Sequence, residues 1–279
     1  MSCPQCFSGH INPGKPIGRW EAVYGLRTYI AEPSDGKPAQ GIIVIIPDAF
    51  GVDFVNNQIL ADHYAAAGQY LVYLPDFMDG TAAPVRCMIN MAYLWGDAHW
   101  LLKPYYVFAM AADFIPFAFK NRFSQRWPGM QKFFTLLRQE KGETPIAAAG
   151  FCWGGLYGVH LTHEGEDTKT SGGRALVDAV FVAHPSNLTI PQDIEKVTGN
   201  LSIAIGDDDV VMPLNQVKIA QQVFKDKLNV DSEVVVYPGA KHGFSVRASR
   251  AKPDSKETKQ AEEAEEQAIA WFKKQFAKT

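Results

Sequence analysis

The sequence predicts an α/β fold, a mostly parallel central sheet with helices on both faces, and three observations carry that expectation. Segments of strand character and segments of helical spacing alternate along nearly all of the 279 residues. Residues 41–47, Gly-Ile-Ile-Val-Ile-Ile-Pro, are a continuous β-branched run, the pattern of a parallel strand covered on both sides. No break in composition marks a linker, so one domain over residues 1–279 is expected.

Taken in order, residues 1–18 carry several Gly and Pro and no periodic pattern, which reads as an irregular arm draped on the surface. Alternation over residues 20–30 predicts one strand, closed by the turn-rich Pro33-Ser34-Asp35-Gly36. The buried strand at 41–47 runs into Asp48-Ala49-Phe50-Gly51, a loop at the end of a central strand, where ligand-facing groups gather in such sheets. Residues 56–67 have helical spacing, and residues 69–74 repeat the strand pattern.

Residues 85–125 interrupt the rhythm. The segment is crowded with aromatic side chains and broken by Pro104 and Pro116, while Lys103, Asp113 and Lys120 keep it from forming a membrane span. It is expected to be a helical insertion, either a cap whose apolar face shapes a substrate pocket or an excursion packed on the core or against another copy; pairing of two chains stays open. A helix over 131–138 then leads to the strand at 145–150. Further strands are expected at 176–183, 201–205 and 233–237, a helix at 215–227, and an amphipathic closing helix at 256–276 with Ala264, Ala268, Trp271, Phe272 and Phe276 on its apolar side.

A composition of 47% hydrophobic and 20% charged residues excludes disordered and collagen-like classes. The net charge of −3 and the absence of a basic block argue against a nucleic-acid partner. Met1-Ser2-Cys3-Pro4-Gln5-Cys6 offers neither a basic nor an apolar leader region, so a reducing cytosolic setting is expected. Cys3, Cys6, Cys87 and Cys152 do not make a disulfide framework, and Cys3-x-x-Cys6 with His10 nearby falls short of a closed zinc site, so no metal and no cofactor is expected.

The chemistry concentrates around Gly150-Phe151-Cys152-Trp153-Gly154-Gly155, which has the layout of a nucleophile elbow with cysteine at its apex. A thiol at a helix N-terminus is favoured as thiolate by unpaired backbone N–H groups and the helix dipole; the bland reading is a small apolar filler in a turn. Downstream lie Gly206-Asp207-Asp208-Asp209, which by composition leaves the choice of acid open, and Pro238-Gly239-Ala240-Lys241-His242-Gly243-Phe244. Of the seven histidines only His242 follows a strand downstream of both partners. Nucleophile, acid, histidine is the α/β-hydrolase order.

With the Gly206-x-x-Asp209 turn followed by Pro213, with Gly239-Ala240-Lys241-His242-Gly243-Phe244, with Met1-Ser2-Cys3-Pro4 and with Leu60-Ala61-Asp62-His63, these residues resemble fungal members of the dienelactone hydrolase family. The resemblance covers most of the chain and is weakest across 85–125. It implies an α/β-hydrolase fold, a Cys152-Asp209-His242 triad, and an oxyanion hole from the backbone N–H groups of Trp153 and Ala49. It also implies that Arg247, near though not identical in spacing to a family arginine, helps hold a substrate carboxylate. One departure stands out: Asp48 occupies the place of a family Glu that activates the thiol, and is one methylene shorter. Asp48 could also simply cap the following helix.

The resulting expectation is a cofactor-free hydrolase that opens a lactone or cleaves a small ester through a cysteinyl acyl-enzyme, acting on an apolar or ring-containing small molecule and not on nucleic acid or membrane. Asp48 and the bulky insertion motivate a rival, a non-hydrolytic metabolite-binding cyclase, lyase or carrier on the same scaffold. A redox role for Cys3, Cys6 and Cys152 is a third reading.

Overall fold

The computed structural model describes residues 4–34, 36–96 and 99–279. Its first two strands, β1 (Arg19–Val23) and β2 (Leu26–Ala31), form an antiparallel hairpin where the alternation had suggested one strand. The reason is the Tyr24-Gly25 pair: both residues have positive φ, 49° and 84°, the geometry of a tight hairpin turn that matches strand twist. The remaining strands are β3 (Ile42–Ile46), β4 (Leu71–Pro75), β5 (Ile146–Phe151), β6 (Ala179–Ala183), β7 (Leu201–Gly206) and β8 (Ser232–Tyr237). They lie in one sheet in the order β1-β2-β4-β3-β5-β6-β7-β8, parallel from β4 to β8.

The helices are α1 (Val55–Gly68), α2 (Arg86–Trp95), α3 (Lys103–Lys120), α4 (Phe123–Lys141), α5 (Trp153–Leu161), α6 (Gln192–Glu195), α7 (Leu214–Asp226), α8 (Phe244–Arg247) and α9 (Lys256–Phe276). The alternation of β6 shows how they cover both faces. Phe181 meets the Phe272 ring of α9, whereas Val180 and Val182 approach Gly158 of α5, so α9 and α5 lie on opposite sides. Helix α1 packs beside α9, joined by Tyr64 against Phe272, and α4 packs beside α5, with Phe123 stacked on Tyr157. Ile43, Val44, Ile45 and Ile46 are wholly buried between the layers, and truncating one of these isoleucines to alanine costs about 2–5 kcal/mol.

The aromatic insertion is helical, but its prolines act differently from the expectation. Pro104 sits in the first turn of α3, where its missing N–H costs nothing, and Pro116 lies inside α3 without ending it. Pro116 and Ala112 are exposed, so the carbonyl that the proline leaves unpaired faces water. Arg86 clamps α2 to α3 through a two-pronged bond to Asp113. No helix among the described residues is long and apolar enough to cross a membrane.

The arm before β1 is not merely draped. Phe7 is 1% exposed. Asn56 of α1 accepts from Asn12 N and donates to the carbonyls of His10 and Val246, which fixes the arm to both α1 and α8. The Cys3-x-x-Cys6 reading lies outside the described residues.

Candidate active site

Strand β5 delivers the chain to Cys152, which stands alone between β5 and α5 with φ 49° and ψ −107°, a strained conformation for a residue bearing a Cβ. The flanking glycines permit the turn. A Cβ on Gly154 would stand 2.1 Å from Ile46 O, and one on Gly150 would stand 2.6 Å from Gly154 O. Cys152 is held from both sides: its N–H donates to Ala183 O, and its carbonyl accepts from Gly155 N and Ser186 N.

The β7 and β8 loops bring two partners to the sulfur. His242 Nε2 lies 3.1 Å from Cys152 Sγ, and His242 Nδ1 lies 2.9 Å from Asp209 Oδ2. A carboxylate can only accept, so Nδ1 carries the hydrogen and Nε2 faces the thiol. The other oxygen of Asp209 accepts from Val211 N and Met212 N, which fixes the carboxylate in its loop. Of the three aspartates in that turn, Asp207 and Asp208 are exposed and Asp209 is buried. Burial presses His242 towards neutrality, but the negative charge of a Cys152 thiolate and the bond from Asp209 outweigh it and raise its pKa to about 9.

Two neighbours escaped the sequence reading. Ser186 Oγ lies 3.4 Å from Cys152 Sγ and 3.3 Å from His242 Nε2, beside the sulfur–nitrogen contact. His184, fully buried at the end of β6, sets its ring 5.1 Å from that of His242, and its Nε2 lies 2.8 Å from Ser245 Oγ. Burial, with His242 and Arg247 as nearby positive charges, pushes its pKa well below the ordinary value, so His184 stays neutral. The available signal was position: both residues follow a central strand at the edge that carries the other site loops.

Asp48 is fully buried after β3. Its Oδ2 receives Arg247 Nη1 at 2.5 Å, and its Oδ1 accepts from Phe50 N and from Asn57 of α1. The carboxylate thus binds a guanidinium and a helix side chain, and the N-cap of α1 is Phe54. Burial pushes Asp48 above the usual carboxylate range; Arg247 opposes the rise and a Cys152 thiolate adds to it. Arg247 is itself 2% exposed, bonded also to Ser8 O and Gln5 O of the arm, and it does not line the cavity that holds the sulfur. The same arm reaches the two loops: Gln5 Oε1 accepts from His242 N and Val210 N, and its Nε2 donates to Asp208 O.

Cys152 opens into a cavity of about 410 Å³ walled by Phe7, Phe114, Phe117, Phe123, Leu156 and Tyr157, with Ser186 and Asn187 as polar edges and Arg122 as the charged member of its described lining. Helix α3 supplies Phe114, Phe117 and Ala118 to that wall. The junction of α3 and α4 is tied to the elbow because Trp153 Nε1 donates to Asn121 O, and Asn121 in turn donates to Thr81 O. Ala49 and Trp153, both almost wholly buried, line the cavity, and their backbone N–H groups have no acceptor among the described residues. Buried N–H groups are rarely left so.

A sheet parallel from β4 to β8, a strained elbow, and an acid and a histidine on the loops after β7 and β8 define an α/β-hydrolase. Residues 26–276 match the dienelactone hydrolase family. The chain belongs to that family and is a hydrolase of the lactone or ester type. Among curated relatives, hydrolase pyvD of Aspergillus violaceofuscus is 26% identical over 274 residues, 98% of this chain and 96% of that protein. The human carboxymethylenebutenolidase homolog is 26% identical over 275 residues, with the same coverage of 98% and 96%. Among solved structures, dienelactone hydrolase from Anabaena variabilis shares the fold with a TM-score of 0.54 at 13% identity, covering 94% of this chain and 98% of its own.

Proposed function

We propose that the protein hydrolyses a lactone or small ester through a covalent Cys152 thioester, with His242 as proton carrier and Asp209 as its orienting acid. The observation that carries this reading is the unbroken line of contacts from Sγ to Nε2 at 3.1 Å and from Nδ1 to Oδ2 at 2.9 Å, with Cys152 lining a largely aromatic cavity. The thiol proton passes to Nε2, and the sulfur attacks the carbonyl carbon. The carbonyl electrons move to oxygen, where the N–H groups of Ala49 and Trp153 stabilise the charge. Collapse expels the alkoxide, which takes the proton from Nε2 and leaves the acyl group on sulfur. Water, deprotonated by His242, then attacks the thioester; the sulfur departs, and the products are an acid and an alcohol, joined in one molecule when the substrate is a lactone.

The buried Asp48–Arg247 pair supplies a fixed field near the sulfur, and the aromatic wall suits an apolar or ring-containing substrate. The experiment is a mixing of the protein with an activated ester followed by intact-mass measurement. Native protein gains one acyl group that maps to Cys152 and the Cys152→Ala variant gains none; an adduct that maps elsewhere, or turnover that survives in Cys152→Ala, sinks the proposal.

A further inference from the structure

The Phe114 ring walls two spaces at once. On one side is the cavity that holds Cys152; on the other is a groove of about 340 Å³ between α2 and α3, lined by Met91, Trp95, Val107, Met110 and Ala111 among others. Every described residue of its lining is apolar, a surface that gains nothing from a polar group. Phe114 is only half-buried, in edge contact with Phe7 at 5.3 Å between centroids and tilted against Phe117 at 6.0 Å. Trp95 and Val107 at the groove rim are 68% and 53% exposed, an apolar surface that soluble proteins seldom leave contiguous without use.

We propose that the α2–α3 groove receives the hydrocarbon tail of the substrate, past Phe114, while the scissile carbonyl sits at Cys152. The substrate class is then a lactone or ester carrying an extended alkyl or polyene chain, an inference that rests on the hydrolytic reading above. Continuity favours this occupant over a separate partner, because Phe114 belongs to the lining of both the groove and the cavity that holds the sulfur. Each methylene that enters the groove should raise kcat/KM about fourfold, the factor equivalent to about 0.8 kcal/mol per buried methylene.

The test is kcat/KM for p-nitrophenyl esters from acetate to decanoate, below their micelle concentrations, with each protein normalised to its own acetate value. The native decanoate-to-acetate ratio should exceed about tenfold, and both Ala111→Phe, which fills the groove, and Val107→Trp, at an exposed rim position that folding tolerates, should collapse it. A flat native series, or a ratio unchanged in both variants, overturns the inference while the hydrolytic reading stands on acetate turnover. Titration with 1-decanol, which has no scissile bond, followed by tryptophan fluorescence gives a second readout. Saturation in the native protein and its loss in Ala111→Phe support the groove even if no ester is cleaved, in which case only the hydrolytic reading fails. Dimerisation with concentration that both variants abolish assigns the groove to a second copy and overturns the proposal.

Discussion

The Asp48 carboxylate and the Arg247 guanidinium meet at 2.5 Å with side chains 0% and 1% exposed. A charge pair so enclosed is stable only as a pair, because either member alone would be an ion without solvent. The Asp48→Ala variant should therefore lose about 3–5 kcal/mol of stability, read as a melting temperature lower by on the order of 10 °C. A variant that melts within a degree or two of the native protein would show that the pair contributes nothing net.

Gln5 holds the Asp209 and His242 loops together through the amides of His242 and Val210 and the carbonyl of Asp208. Removing that side chain leaves a partly buried amide unpaired and lets the imidazole drift. Gln5→Ala should lower kcat/KM by about ten- to a hundredfold, with a loss of about 1–3 kcal/mol in stability. Kinetics and melting measured on the same preparation separate the two effects; native kinetics would remove Gln5 from any positioning role.

For Cys152→Ala the expected loss in kcat is on the order of a thousandfold or more, since the sulfur and imidazole act as one unit. The protein should stay folded, because Cys152 is 2% exposed but small and its backbone bonds do not involve the side chain. Ester hydrolysis and circular dichroism together check both halves of this prediction.

The pH dependence follows from His242, whose pKa is raised to about 9 although burial alone would lower it. A histidine raised on folding contributes stability that is fully present below its unfolded value of about 6.5 and is lost as pH rises through about 9. For an alkyl ester, whose leaving group needs a proton, kcat/KM should fall on the alkaline side with an apparent pKa near 9 belonging to the sulfur–imidazole pair. A rate still climbing well above that pH would contradict the assignment.

Local patterns made the sheet legible: the β-branched run at 41–47, the apolar strand at 145–150 and the loops that follow strands were all visible from neighbours in sequence. Of Cys152, Asp209 and His242, chosen on motif, chain order and family likeness, His242 lies within hydrogen-bond reach of the other two. The hairpin was missed because β1 and β2 keep alternating across Tyr24-Gly25, so only the backbone angles reveal the reversal. Gly and Pro in residues 4–18 announce irregular chain but carry no sign of where it docks. Ser186 was not legible because a lone serine in a loop has no periodic signature. Arg247 was given a role facing substrate, and the structure places it against Asp48 and the arm.

The arm also bears on how the molecule is made. Gln5 is joined to His242 across a separation of 237 residues, so this tether can form only after all the chain between them has been made. Until the His242 loop leaves the exit tunnel, the sulfur has no imidazole beside it. Sulfur and imidazole therefore come together late, only once strands on either side of them have been laid down and joined.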